Sequence, residues 1–129
     1  MQGMKRACES LLRSYLKTFP CVAVIGVRQC GKTTLIKTLP KTWKHLDLER
    51  RADHDVVSRD PDAFFRLNPR QVALDEAQMV PEIFPALRVA IDEHRAEKGR
   101  FVITGSSTPE LLRSVSESLA GRVGVIELA

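Results

Sequence analysis

Cys21-Val-Ala-Val-Ile25, running directly into Gly26-Val-Arg-Gln-Cys-Gly-Lys-Thr33, is the stretch on which the fold turns. Its first five residues form a continuous apolar run rich in β-branched side chains, which predicts a strand buried on both faces, as in a parallel sheet. The next eight fit G-x-x-x-x-G-K-[ST], and a helix is predicted from about Lys32 to Leu39, ended by Pro40. In such a strand, loop and helix the glycines let the backbone curl with its N–H groups inward. Those groups and the helix N-terminus then surround a β-phosphate. Lys32 is placed to reach the β- and γ-phosphates, and the Thr33 hydroxyl to bind Mg²⁺. The expected nucleotide contacts are therefore Gly26, Val27, Arg28, Gln29, Cys30, Gly31, Lys32, Thr33 and Thr34. Cys30 reads either as a small residue that tolerates tight packing or as a thiol activated by Lys32 and the helix N-terminus. Arg28 reads either as solvent-exposed or as a support for the loop.

Outward from this stretch the chain alternates between strand and helix signals. Upstream, Ala7, Leu11, Tyr15 and Phe19 at i,i+4 spacing, with Leu12 and Leu16 beside them, predict an amphipathic helix within residues 1–19, stopped by Pro20. Downstream, His45-Leu-Asp-Leu48 is a short second strand and 49–58 a helix. Asp60-Pro61 caps a short helix carrying Phe64 and Phe65. Gln71-Val-Ala-Leu74 is a third strand. Pro81 opens a longer helix with Ile83, Leu87 and Ile91 on one face and Pro85 in its first turn. Phe101-Val-Ile-Thr104 is a fourth strand, Thr108-Pro109-Glu110 caps a helix with Leu111, Leu112, Val115 and Leu119, and 123–128 is a fifth strand. Strands alternating with helices imply parallel pairing through right-handed crossovers. No repeat, low-complexity tract or linker interrupts the series.

Two acids follow the third strand. Asp75 at the end of a buried strand near a phosphate loop suits the second protein partner of Mg²⁺. Glu76, directed to the other side of the strand terminus, suits polarisation of a water for in-line attack on a γ-phosphate, and the pair argues for hydrolysis rather than binding alone. Gln78 can orient that water or sense the γ-phosphate, or it is an exposed loop amide. Thr104 and Ser106 flank Gly105 at the end of the fourth strand; either their hydroxyls reach the water or γ-phosphate, Ser106 preferred, or they only cap the turn.

Composition bounds the remaining classes. The chain has 129 residues, 43% hydrophobic and 28% charged, which is one domain with enough apolar material for a core. Its longest apolar run is far short of the roughly 20 residues of a spanning helix, and Glu9, Arg13 and Lys17 interrupt what a signal peptide needs. No membrane association and a cytoplasmic location are expected. The net charge of +4 comes from basic residues spread along the chain, with no aromatics interleaved for base stacking, so charge alone gives little support to a nucleic-acid surface. Three cysteines without CxxC spacing, which cannot all pair, argue against a disulfide scaffold or a thiolate zinc site.

Taken together, Gly26 to Thr34, Asp75 to Gln78, Thr104 to Ser106 and Ser118 to Arg122 resemble the AAA-type P-loop ATPases. More narrowly they are similar to prokaryotic ATP-binding proteins carrying Gly-x-Arg-Gln-x-Gly-Lys-Thr-Thr, Asp-Glu-x-Gln, Thr-Gly-Ser and Ser-Leu-Ala-Gly-Arg. The resemblance implies a three-layer α/β/α P-loop NTPase sandwich whose five-stranded parallel sheet has the order 5-1-4-3-2, the fourth strand inserted between the phosphate-loop strand and the Asp75 strand. It also implies that Arg122, just before the fifth strand, is either an arginine finger reaching the nucleotide of a neighbouring subunit in a homo-oligomer or an exposed residue steadying a turn. Similar proteins continue past the fifth strand into a helical lid and further domains. Residues 1–129 are accordingly expected to be one ATPase core, a fragment of a longer protein whose DNA or protein partner acts through the missing C-terminal domains.

The expected activity is Mg²⁺-dependent hydrolysis of ATP to ADP and phosphate, with Lys32, Glu76, Ser106 and Arg122 as catalytic residues, Thr33 and Asp75 at the metal, and ATP and Mg²⁺ as cofactors. The alternative from another class is a nucleotide-dependent interaction or DNA-associated switch with little turnover. A small-molecule kinase is disfavoured, because no Arg-rich lid follows and adjacent Asp75 and Glu76 suit water activation better than phosphate acceptance.

Overall fold

The structure is a computed structural model and describes the backbone of residues 2–27 and 31–128. Five strands form one sheet: β1 (Cys21–Gly26), β2 (Lys44–Asp47), β3 (Val72–Asp75), β4 (Phe101–Gly105) and β5 (Val123–Leu128). Every pairing is parallel and the order is β2-β3-β4-β1-β5, the expected 5-1-4-3-2 read from the other edge. The helices are α1 (Gln2–Thr18), α2 (Lys32–Ile36), α3 (Arg51–Ser58), α4 (Pro61–Leu67), α5 (Ile83–Glu93) and α6 (Pro109–Leu119).

Side-chain alternation along the central strands builds two cores. Cys21, Ala23 and Ile25 of β1 join Leu74 of β3 and Ile103 of β4 under α4, α5 and α6. Val22 and Val24 face the other way, with Ala73, Val102 and Ile126, under Leu12 of α1 and Leu35 and Ile36 of α2. All six residues of β1 are buried because both faces are covered, which is why the strand reads as an unbroken apolar run. Phe65 anchors the first core edge-to-face against Phe64 and Phe101, with centroids 5.3 Å apart in each pair.

Helix starts follow the caps written in the sequence. Asp60 accepts from the Ala63 N–H at 3.0 Å with Pro61 at the first helical position, and Thr108 accepts from the Leu111 N–H at 3.2 Å ahead of Pro109. Other boundaries differ. In α1 the inward stripe is Cys8, Leu12, Tyr15 and Leu16, whereas Ala7 and Leu11 face solvent, a rotation of the expected face by one residue. α2 ends at Ile36 rather than Leu39; the Thr38 and Leu39 N–H groups bond three residues back, to Leu35 and Ile36, tightening the chain before Pro40. Gln71 lies outside β3 with φ 57°, a left-handed conformation no strand residue adopts. β2 runs one residue earlier than expected, α3 starts at Arg51 and α5 at Ile83, and a single 3-10 turn, Ala77–Met79, follows Glu76.

The parallel arrangement brings the C-terminal ends of β1, β2, β3 and β4 to one edge, where ligands of open α/β sheets bind. Asp47 and Asp75 are in register there, and Ile25 is opposite Gly105.

Candidate active site

Alternation within β3 and β4 decides which way the acids point. Ala73 and Val102 face α1 and α2, so Asp75 and Thr104, two residues on, face the same side. There the Asp75 carboxylate meets two hydroxyls. Thr33 donates to its Oδ2 at 2.7 Å, and Thr104 donates to its Oδ1 in a short hydrogen bond. The Thr104 oxygen also accepts from the Glu76 N–H at 3.0 Å. Asp75 is 7% exposed and Thr104 1%, so the carboxylate is held between fixed donors rather than in bulk water.

Gly31 starts α2 at φ 99°, where a Cβ would be strained, and turns the loop so that Lys32 lies inside. The Lys32 ammonium, only 4% exposed, donates to the carbonyls of Gly26 at 2.8 Å and Val27 at 3.1 Å and stands 3.6 Å from Glu76 Oε1. Glu76 itself has φ 57°, so the chain leaves the strand abruptly and its carboxylate turns back over the site. Its other oxygen, Oε2, accepts from Gln78 Nε2 at 2.6 Å and from Ser106 Oγ at 3.5 Å.

The cleft enclosed by these groups has a volume of about 330 Å³ and is lined by Gly31, Lys32, Thr33, Thr34, Asp47, Glu49, Asp75 and Glu76. Asp47 and Glu49 were not among the expected site residues. Their signal was a carboxylate at the end of the short strand His45-Leu-Asp-Leu48, legible only once β2 is known to lie beside β3. Arg28, Gln29 and Cys30 lie outside the described residues. Thr104, a candidate for contact with a γ-phosphate, instead spends its hydroxyl on Asp75 and on the Glu76 backbone.

Arg122 is not brought to this cleft. It precedes β5, whose Val123 is in register with Cys21, so it sits at the far end of the sheet from Gly26, roughly 17–20 Å along the strands. There it forms a fork with Asp92 at 2.7 and 2.9 Å and donates to the Ala120 carbonyl at 2.9 Å. That fork holds the Asp92 carboxyl below its ordinary range and raises the Arg122 guanidinium.

A larger cavity, about 480 Å³, lies at this far end between α4 and α5, over Phe65 and Arg100. Its chemistry is structural. Arg100, 2% exposed, donates to the carbonyls of Pro69 and Ile91 and stacks 4.9 Å over Phe101, and burial lowers its pKa from the ordinary arginine value. Arg70 is tied to Glu97 at 2.6 and 2.9 Å.

The left-handed Gly31 at the start of α2, the buried lysine and the strand-end acids therefore occur together on a 5-1-4-3-2 sheet. Residues 18–129 match the AAA domain family. The chain belongs to the AAA domain family. It has the fold of an AAA-type P-loop core. It is 37% identical over 127 residues to uncharacterized proteins of Mycobacterium bovis and of Mycobacterium tuberculosis, covering 97% of this chain and 28% of each relative. The chain thus spans just over a quarter of the length of these curated relatives. Among solved structures it is similar to a Walker-type ATPase of Pyrococcus abyssi, with a TM-score of 0.67 and 17% identity over 95% of this chain and 52% of that one, a likeness of fold. Among the described residues of this AAA core, no helix is long and apolar enough to cross a membrane.

Proposed function

We propose that the chain is a Mg²⁺-dependent ATPase core that hydrolyses ATP to ADP and phosphate. The observation that carries this reading is the bond from Thr33 to Asp75, 42 residues apart in sequence, beside buried Lys32 and Glu76 in one cleft. A hydroxyl hydrogen-bonded to a carboxylate at 2.7 Å makes a hard-oxygen pair of the kind that Mg²⁺ accepts alongside waters and phosphate oxygens. When bound, Mg²⁺ supplies neutralisation of the β- and γ-phosphate charge.

The protein side chains do the remaining work. Lys32 leaves the Gly26 and Val27 carbonyls for the phosphate oxygens, beside the N-terminus of α2. Thr33 and Asp75 would hold the metal, and Thr104 fixes the Asp75 carboxylate. Glu76 accepts a proton from the attacking water as its oxygen bonds to the γ-phosphorus. The bond to the β,γ-bridging oxygen breaks, ADP leaves with that electron pair, and Glu76 returns its proton to solvent. Ser106, whose Oγ lies 3.5 Å from Glu76 Oε2, contacts the γ-phosphate in this reading.

A trans role for Arg122 requires it to release Asp92 and meet the nucleotide of a second copy. ATP-dependent oligomerisation measured by sedimentation tests that role. The assignment of Glu76 is tested by phosphate release and equilibrium ATP binding on Glu76→Gln. The variant should bind ATP as wild type does and lose hydrolysis by about 10²- to 10⁴-fold; undiminished turnover sinks the assignment. The switch reading draws support from the engagement of both Glu76 oxygens, and it predicts nucleotide binding with negligible phosphate release from the wild type.

A further inference from the structure

Gln78 has one end of its amide on Glu76 and the other end in an unusual place. Its Nε2 donates to Glu76 Oε2 at 2.6 Å, while its Oε1 is buried without a hydrogen-bond partner among the described residues. That oxygen occupies the space beside Gly105, where an added Cβ would come within 2.9 Å of it and 2.3 Å of Leu111 Cδ2. Turning the amide over would set two acceptors against each other at Glu76, so the carboxylate fixes which end faces it. A buried amide oxygen without a donor is destabilising and calls for a reason. Here the same packing that buries Oε1 drives Nε2 onto Glu76.

We propose that Gln78 is a positioning residue that aims Glu76 for attack on the γ-phosphate, with Gly105 providing the space that keeps its amide in place. The assignment rests on the ATPase reading. It differs from a direct contact of Gln78 with water or phosphate, because the amide acts through the carboxylate. Glu76 needs such a guide: it sits at φ 57° on a turn, outside the strand ladder, and its side chain has two oxygens with different duties. Gln78 and Ser106 hold Oε2, and Lys32 faces Oε1. When the triphosphate takes Lys32, Oε1 is left directed into the cleft while Oε2 stays tethered. Oε1 then accepts the proton of the water that attacks phosphorus. Loss of the tether lets the carboxylate turn, and a misplacement on the order of 1 Å at a reacting group is costly in rate.

The experiment compares phosphate release, equilibrium binding of ADP and thermal melting for wild type, Gln78→Leu, Gln78→Glu and Gly105→Ala, each with Mg²⁺. Gln78→Leu should keep ADP affinity within about threefold while kcat falls at least about tenfold, with KM little changed. In the Glu76→Gln background the same substitution should cause no further loss, since both act through one group. Gln78→Glu adds a signature that a packing role does not produce. The new carboxyl donates to Glu76 only when protonated, so its rate relative to wild type should rise as pH falls from about 8 to about 5.5. Gly105→Ala should lose kcat in the same way by displacing the amide. Wild-type kcat in Gln78→Leu, an equal loss in the Glu76→Gln background, or a parallel loss of ADP binding overturns the proposal while leaving the ATPase reading intact. A wild-type chain that binds ADP but releases no phosphate overturns both.

Discussion

Thr104→Val is the sharpest test of how the acidic end of the site is held. The substitution keeps side-chain shape and removes one hydroxyl that is 1% exposed. That hydroxyl donates to the Asp75 carboxylate and accepts from the Glu76 N–H. Losing a hydrogen bond to a charged group costs about 1.5–3 kcal/mol, and leaving a buried N–H without an acceptor costs about 1–3 kcal/mol. Both losses fall on adjacent residues and do not add fully, and the new methyl returns about 0.8 kcal/mol of apolar burial. The net expectation is a loss of about 2–4 kcal/mol. For a domain of this size that corresponds to a melting temperature lower by about 6–15 °C. Thr104→Ser keeps both bonds and loses one methyl, so it should cost only about 1 kcal/mol. Thermal and urea unfolding of the three proteins at pH 7 without nucleotide measures this directly. A valine variant that melts within about 2 °C of the serine variant would refute the hydroxyl's role, because packing alone predicts the opposite ranking.

Acid stability follows from two surface forks. Arg122 holds the Asp92 carboxyl, and Arg70 the Glu97 carboxyl, below their ordinary values. A depressed folded-state pKa gives stability that is present above the unfolded value near pH 4 and lost as pH falls through the folded one. Urea midpoints should therefore decline below about pH 4, and Asp92→Asn with Glu97→Gln should flatten that decline; an unchanged slope speaks against these pairs. Cys21 is fully enclosed in β1, and burial pushes its thiol up to about 12. An aromatic disulfide reagent at pH 8 should label half-buried Cys8 in the native chain and reach Cys21 only on unfolding, as peptide mass mapping would show; rapid native labelling of Cys21 would contradict the packing of α4, α5 and α6 over β1.

The strands were legible because burial on both faces leaves a continuous β-branched run, as in β1, and because a strand ending in acids, Val72 to Asp75, is bounded by a proline and a change of polarity. Helix starts at Asp60 and Thr108 were legible because the cap is a local bond between residues three apart. Helix ends and faces were less so. Whether α2 continues past Ile36 depends on where Leu39 and Trp43 must go to reach the core, and the inward stripe of α1 depends on the β1 and β5 surface beneath it. The roles within the site divide in the same way. Lys32, Thr33, Asp75 and Glu76 stand out by spacing alone, whereas Thr104 reads as either a γ-phosphate contact or a turn hydroxyl until β4 is placed beside β3.

The sequence by itself determined the phosphate loop, the two strand-end acids and the alternation that forces a covered parallel sheet, since each rests on contacts between near neighbours or on the periodicity of one element. The tertiary structure decided which distant groups hydrogen-bond: Thr33 with Asp75, Gln78 with Glu76, and Arg122 with Asp92 rather than with this chain's own cleft. Those pairings depend on strand order and on the side of the sheet each residue faces. One residue of register reverses that side, and strands buried on both faces, as β1 and β3 are, carry no alternating pattern that would set it.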